Sequence, residues 1–89
     1  MNEYLIDAER MKTKDEAHHY LQRLFAFPDY YGANLDALHD LLGEIGEETL
    51  LKVPRKLADE AYLSAYGAAM LQVFLAAAAE NEFLTVQLV

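Results

Sequence analysis

The chain has 89 residues, 54% of them hydrophobic, and carries 15 acids against 7 bases for a net charge of −8. That length suits one domain, 1–89, whose single core needs no metal or staple, and the lack of any cysteine excludes disulfides and thiol chemistry. The acidity opposes binding to nucleic-acid phosphates and favours a basic partner, since complementary fields speed encounter.

Residues 3–7, EYLID, read as a short first strand. The N-terminal residues MNEYLIDAER carry acids and no long apolar run, so they do not read as a signal peptide. No stretch reaches the ~20 apolar residues of a membrane span, and the cytoplasm is the expected location. Thr13-Lys14-Asp15-Glu16 is a capping box that starts a helix near residue 14. Ala17, Tyr20, Leu21, Leu24 and Phe25 then form one apolar stripe at helical spacing. His18 and His19 are adjacent, share no helix face, and read as surface residues rather than a ligand pair. Pro28 ends the helix, because the residue before a proline avoids helical angles.

A turn follows at Pro28-Asp29, with Gly32 able to take backbone angles that other residues avoid, and with Tyr30 and Tyr31 reading as exposed. Asn34 is a good N-cap for a short helix from Leu35 to about Leu42, and Gly43 suits its C-terminal stop. Glu48 to Val53, ETLLKV, reads as a second strand. Pro54 suits the first turn of a further helix over roughly 55–63, where Arg55–Asp59 and Lys56–Glu60 are i, i+4 pairs. Ser64 to Glu80 is the longest helix, with a stripe of Tyr66, Ala69, Met70, Val73, Phe74 and Ala77 and more apolar surface at Leu71, Leu75, Ala76 and Ala78. Such a helix is expected to be central, packed on a sheet and buried on several sides. Leu84 to Val89 is the last strand. Strands alternating with helices predict an α/β fold with a parallel sheet and right-handed crossovers.

The short helix has two contrasting faces. Leu35, Leu38 and Leu42 make a core stripe, while Asp36, His39, Asp40 and Gly43 fall together on another face. Asp36 and Asp40 are like charges at i, i+4, which costs a helix about 0.2–0.5 kcal/mol. Asp40 also lies towards the negative end of the helix dipole. No Lys or Arg occurs between Arg23 and Lys52, so no neighbour in sequence offsets these acids. A solvated acidic face is the plain explanation; a surface built for a basic pocket is the functional one. A metal or acid–base site at Asp36, His39 and Asp40 is disfavoured, because ligands from one turn rarely close a site and no second cluster accompanies them. Ser64 is the only serine and lacks a nucleophile motif, and there is no Gly-rich phosphate loop. The residues therefore point to a binding module rather than an enzyme, with no metal and no cofactor.

The run Tyr30-Tyr31-Gly32-Ala33-Asn34-Leu35-Asp36-Ala37-Leu38-His39-Asp40 resembles the recognition segment of the barstar family, intracellular inhibitors of barnase-type ribonucleases. Met70-Leu71-Gln72-Val73-Phe74 resembles that family's last helix. The resemblance implies a three-stranded parallel sheet packed with four helices. It also implies a one-to-one complex that blocks a basic, guanyl-preferring ribonuclease or ribonuclease toxin, formed by a chain that is a monomer when free. Residue by residue, Asp40 would enter the phosphate site as a phosphate mimic and Asp36 would pair with an arginine at the rim of the guanine subsite. Tyr30 would lie against the catalytic imidazole, Gly32 and Asn34 would shape the neighbouring contact, and Glu80 matches an outlying acidic position. Three departures stand out. His39 replaces the family's common tryptophan, Ala76 replaces an acidic contact, and the connection 43–48 is one residue shorter, with Ile45 or Gly46 in place of an aromatic. They imply a partner other than barnase itself. The other reading is an acidic adaptor that binds some basic protein without inhibiting an enzyme.

Overall fold

Local capping chemistry starts two of the helices in the computed structural model, which describes all 89 residues. Thr13 Oγ1 accepts from the Glu16 N–H at 3.1 Å and begins α1 (Lys14–Leu24); Asn34 Oδ1 accepts from the Ala37 N–H at 2.8 Å and begins α2 (Leu35–Leu42). The remaining elements are β1 (Asn2–Leu5), β2 (Thr49–Val53), α3 (Ser64–Glu80) and β3 (Leu84–Leu88), with 3-10 turns at Ala8–Arg10 and Arg55–Ala58. The sheet has the order β1-β2-β3 with both pairings parallel, so that Tyr4 lies beside Leu51 and Leu51 beside Val86.

Only one sheet face is covered. Leu51 and Val53 point inward and are fully buried, together with Ala17 and Leu21 of α1, Leu38 and Leu42 of α2, and Met70 and Phe74 of α3. The alternate positions Glu3, Leu5, Thr85 and Gln87 are exposed, and Lys52 pairs with Glu3 at 3.0 Å on that outer face. Parallel sheets are usually covered on both faces, and this one is kept wet on its second face by Glu3, Lys52, Thr85 and Gln87, with Leu5 exposed beside them.

Three of the expected features differ. The helix expected at 55–63 is only the 3-10 turn Arg55–Ala58, so the fold has three α-helices and not four. Asp59 is extended (φ −77°, ψ 154°), which breaks the ladder after the i→i+3 bonds Leu57 N–H to Pro54 O and Asp59 N–H to Lys56 O. The next residues fold back instead, with the Leu63 N–H on Leu57 O at 3.0 Å. A segment this short has little helical stability of its own, so the tertiary contact wins. Lys56 accordingly pairs with Glu9 at 3.5 Å, not with Glu60.

Second, His18 and Tyr31 are not surface residues. They are 2% and 8% exposed, and the His18 Nδ1 and Tyr31 hydroxyl lie 2.5 Å apart. Third, α3 is not buried all round. Gly67, Met70, Leu71, Phe74 and Ala77 are buried, Tyr66 and Val73 are half-buried, and Ala69, Ala76 and Ala79 are exposed. Its apolar composition comes from alanines, which favour the helix and cost little in water.

Gly67 fixes how α3 sits. A Cβ there would fall 1.8 Å from the Leu57 carbonyl oxygen and 2.4 Å from its carbon, both backbone atoms that cannot swing aside. At an exposed helical site, Gly→Ala gains about 1 kcal/mol. Here Gly67→Ala should lose stability by roughly 1–3 kcal/mol or more, the range for overpacked sites. Urea unfolding of the two proteins checks the sign; a stabilised variant would show that α3 seats differently.

Candidate functional site

The loop 28–34 and α2 form an acidic surface without a Lys or Arg partner. The loop opens as a turn closed by the Tyr31 N–H on Pro28 O at 2.9 Å. Its left-handed residue is Ala33 (φ 52°), not Gly32, and no glycine in the chain has positive φ. Gly32 is needed for space instead: a Cβ there would lie 3.1 Å from Asn34 Nδ2 and 3.6 Å from the Ala37 Cβ. Asn34 works on both sides of the junction, donating from Nδ2 to Gly32 O at 3.3 Å while its Oδ1 caps α2. The two tyrosines part company. Tyr30 is 79% exposed, whereas Tyr31 turns inward against Phe27, with ring centroids 5.0 Å apart.

On α2, Asp36 and Asp40 are exposed, and neither has a Lys or Arg within ion-pair distance. The lysines that do pair are elsewhere, Lys12 and Lys56 on Glu9 and Lys52 on Glu3. His39 is the one basic side chain that contacts acids at this face. Its Nε2 lies 2.8 Å from Glu80 Oε2 at the end of α3, and its Nδ1 lies 3.7 Å from Asp40 Oδ1. The Glu80 hydrogen bond, partly opposed by burial and helped by Asp40, holds the imidazole above its ordinary pKa. Glu80, remote in sequence, is thus brought onto the α2 face. Asp36 makes no ion pair with the ring.

Gly43 ends α2 in the right-handed region (φ −67°, ψ −18°), so the left-handed stop expected of it does not form. The end is made by a residue outside the sequence-based site, Asn81. It is buried, donates from Nδ2 to Leu42 O at 3.0 Å and Ile45 O at 2.9 Å, and accepts the Phe83 N–H on Oδ1 at 3.0 Å. An asparagine just past a long helix is a recognisable terminus signal, but its targets on α2 lie 39 and 36 residues away. The helix face thus gathers Asp36, His39, Asp40, Gly43 and Glu80, with Gly32 and Asn34 locking the loop before it and Tyr30 projecting from that loop. No group of three His, Cys, Asp or Glu side chains is placed to hold a metal ion, and no helix is long and apolar enough to cross a membrane.

The family model described as Barstar (barnase inhibitor) matches residues 1–89, the whole of this chain.

Two measurements test the geometry. Asn81→Ala takes the donor from the part-buried Ile45 O and leaves the buried Leu42 O with only the 3.3 Å Ile45 N–H, which should cost about 1–3 kcal/mol. Amide exchange should quicken at Gly43, Glu44 and Ile45 before it does in the sheet; uniform loss of protection would refute a local role. For His39, NMR titration of Glu80→Gln should show a lower midpoint than the parent. Because the folded value is raised, the stability it contributes is fully present below the ordinary imidazole pKa and fades as pH rises through the folded one. With 38% of the side chain exposed, that contribution is well screened.

Proposed function

The chain belongs to the barstar family, and from that premise we propose that it is a cytoplasmic, non-enzymatic inhibitor that binds a basic ribonuclease one-to-one and closes its active site. The observation that carries this reading is the exposed pair Asp36 and Asp40 on α2 with no Lys or Arg to pair with. A ribonuclease site that grips phosphate is cationic, and two fixed carboxylates on a braced helix offer it the charge of its substrate without the chemistry. Asp40 takes the phosphate position and Asp36 an arginine at the rim. Tyr30, exposed and rigid, covers the catalytic imidazole. Gly32, Asn34 and Gly43 shape the contact around them. The whole chain acts as one unit and is a monomer until it binds. A ribonuclease toxin for which this chain is the immunity protein is a partner of the same chemistry.

The His39–Glu80 contact favours a partner that differs from barnase itself. It puts an imidazole, held above its ordinary pKa by Glu80, where the family commonly has an indole, and it occupies a carboxylate that would otherwise face the enzyme. The adaptor reading shares the same acidic face and differs in one respect: an adaptor leaves the partner's active site open.

Competition separates the two. A guanine mononucleotide should displace this protein from the ribonuclease, and a ternary complex would sink the inhibitor reading. Asp40→Ala should weaken binding by about 2–5 kcal/mol, because partner cations are left desolvated without a counter-charge. An aspartate of barstar is itself a documented hot spot, so the loss alone discriminates little. The opposite sign of the stability change is the sharper half. Alanine's helix propensity, the relieved repulsion with Asp36 and the removed charge near the negative helix end should add roughly 0.5–1.5 kcal/mol to the free protein. Calorimetry and urea unfolding read the two halves; a variant that binds normally and unfolds sooner would make Asp40 a structural residue.

A further inference from the structure

The buried His18 has no part in the acidic face, yet it is bonded to the loop that leads into it. Its Nδ1 lies 2.5 Å from the Tyr31 hydroxyl oxygen, and its Nε2 lies 2.5 Å from the Tyr66 hydroxyl oxygen of α3. We propose that His18 is a positioning residue for the loop 28–34: as the Nε2–H tautomer it ties Tyr31 to Tyr66, and protonation of the ring loosens that tie by taking away the acceptor of the Tyr31 hydroxyl.

The tautomer follows from donor counting. A neutral imidazole has one N–H to donate and one nitrogen to accept with. Tyr31 is 8% exposed, and His18 is the only partner of its hydroxyl. If Nδ1 carried the proton, Nδ1–H would donate to the Tyr31 oxygen and leave the Tyr31 O–H hydrogen buried with nothing to bond. If Nε2 carries it, Tyr31 donates to Nδ1 and Nε2–H donates to the Tyr66 oxygen. Tyr66 is only half-buried, so its own hydrogen can turn to water. The second arrangement leaves no buried donor orphaned, and an orphaned donor is the costly outcome.

Protonation reverses this. Both ring nitrogens then donate, the Tyr31 oxygen must accept, and its hydrogen loses its acceptor inside the fold. A charged ring is also stranded where water is excluded. The groups facing the ring are Asp15, one turn earlier on α1, which favours the charge, and the two tyrosines; the Lys14 ammonium lies on the Tyr66 ring, 4.6 Å from its centroid. Burial outweighs Asp15 and holds His18 below the ordinary imidazole pKa, and burial raises Tyr31, so the phenol keeps its proton. The tie is therefore complete above about pH 6.5, the ordinary value, and weakens as pH falls through the lower folded one. Tyr31 is the loop's inward anchor, and its neighbours in the chain are the exposed Tyr30 and the Gly32–Asn34 lock. Loosening Tyr31 loosens the segment that presents Tyr30.

Its consequence for partner binding rests on the reading of this loop as a contact surface, but the anchoring does not, and every readout below is taken on the free protein. A failed inhibition assay and a failed anchoring are therefore separate results. Long-range nitrogen–proton correlation spectra above neutral pH should show His18 as Nε2–H; an Nδ1–H ring overturns the proposal. On lowering the pH from about 8 to about 5, amide shifts and exchange over residues 30–34 should move with the His18 ring and not with His39. In Tyr31→Phe, exchange over this segment should rise several-fold at neutral pH, and the pH-dependent step should vanish. Should that variant fail to fold, His18→Gln provides the second arm. It keeps a donor and an acceptor but cannot ionise, so the loop should stay ordered and the step disappear. A step that survives in His18→Gln, or a loop that ignores the ring's titration, overturns the assignment.

Discussion

The close approach of α3 to the Leu57 carbonyl at Gly67 is the constraint on which the rest of the fold depends. It is a backbone-to-backbone contact, so it sets the height of the helix without slack. Tyr66, the residue before it, is thereby placed against His18. At the far end, about 20 Å along at 1.5 Å per residue, Glu80 and Asn81 meet α2. One rigid rod of 17 residues thus carries the seat, the anchor of the loop 28–34 and the brace of α2. The face of α2 is held from behind by α3, and its geometry owes little to α2's own 8 residues, too few for a helix to persist alone.

That brace is what allows an electrostatically poor helix to persist. Asp36 and Asp40 repel along one face, and Asp40 sits near the wrong end of the dipole. The bases that form ion pairs do so elsewhere. Lys12 and Lys56 converge on Glu9, whose carboxylate also accepts from the Tyr62 hydroxyl, and Lys52 holds Glu3 on the outer sheet face. Charge is thus segregated: bases stitch the 3-10 turns and the wet sheet face, while the α2 face keeps its acids bare apart from His39. A chain selected for stability alone would distribute them the other way.

How much of this was legible in the sequence depended on how local each interaction is. The caps of α1 and α2 are hydrogen bonds within three residues, and Thr13 and Asn34 announce them in the one-letter code. The parallel pairing of the strands follows from their alternation with helices and was equally readable, whereas their order β1-β2-β3 was not. The 55–63 segment misled because its proline and charge pairs are local signals, while the contact that wins, Leu57 on Gly67, is not. His18 looked like half of an exposed pair. Yet 18, 21 and 25 fall at i, i+3 and i+7, so His18 lay on an apolar arc, and its burial could have been inferred. Tyr31 could not: Tyr30 and Tyr31 are indistinguishable in composition, and only the positions of Phe27 and His18 decide which one turns in. Asn81 marks a helix end, but nothing local says that the end it closes belongs to another helix.

The His39–Glu80 contact shows how one side chain of α2 reaches beyond its own helix. An indole at residue 39 would have no charge and would leave Glu80 free. The imidazole hydrogen-bonds Glu80 at 2.8 Å, lies 3.7 Å from Asp40, and is held above its ordinary pKa by them. Two carboxylates that would each seek a partner cation already share one ring. On the inhibitor reading, a ribonuclease that relies on those two positions must first separate them from His39. One that relies on Asp36, which the imidazole leaves alone, meets no such competition. The loss of the acid at Ala76 acts in the same direction, since it thins the α3 side of the surface while leaving the α2 side intact. On that reading, both departures shift recognition away from the α3 flank and onto the loop and the first turn of α2. That is the part of the surface whose order traces back, through Tyr31 and His18, to α1 and Tyr66.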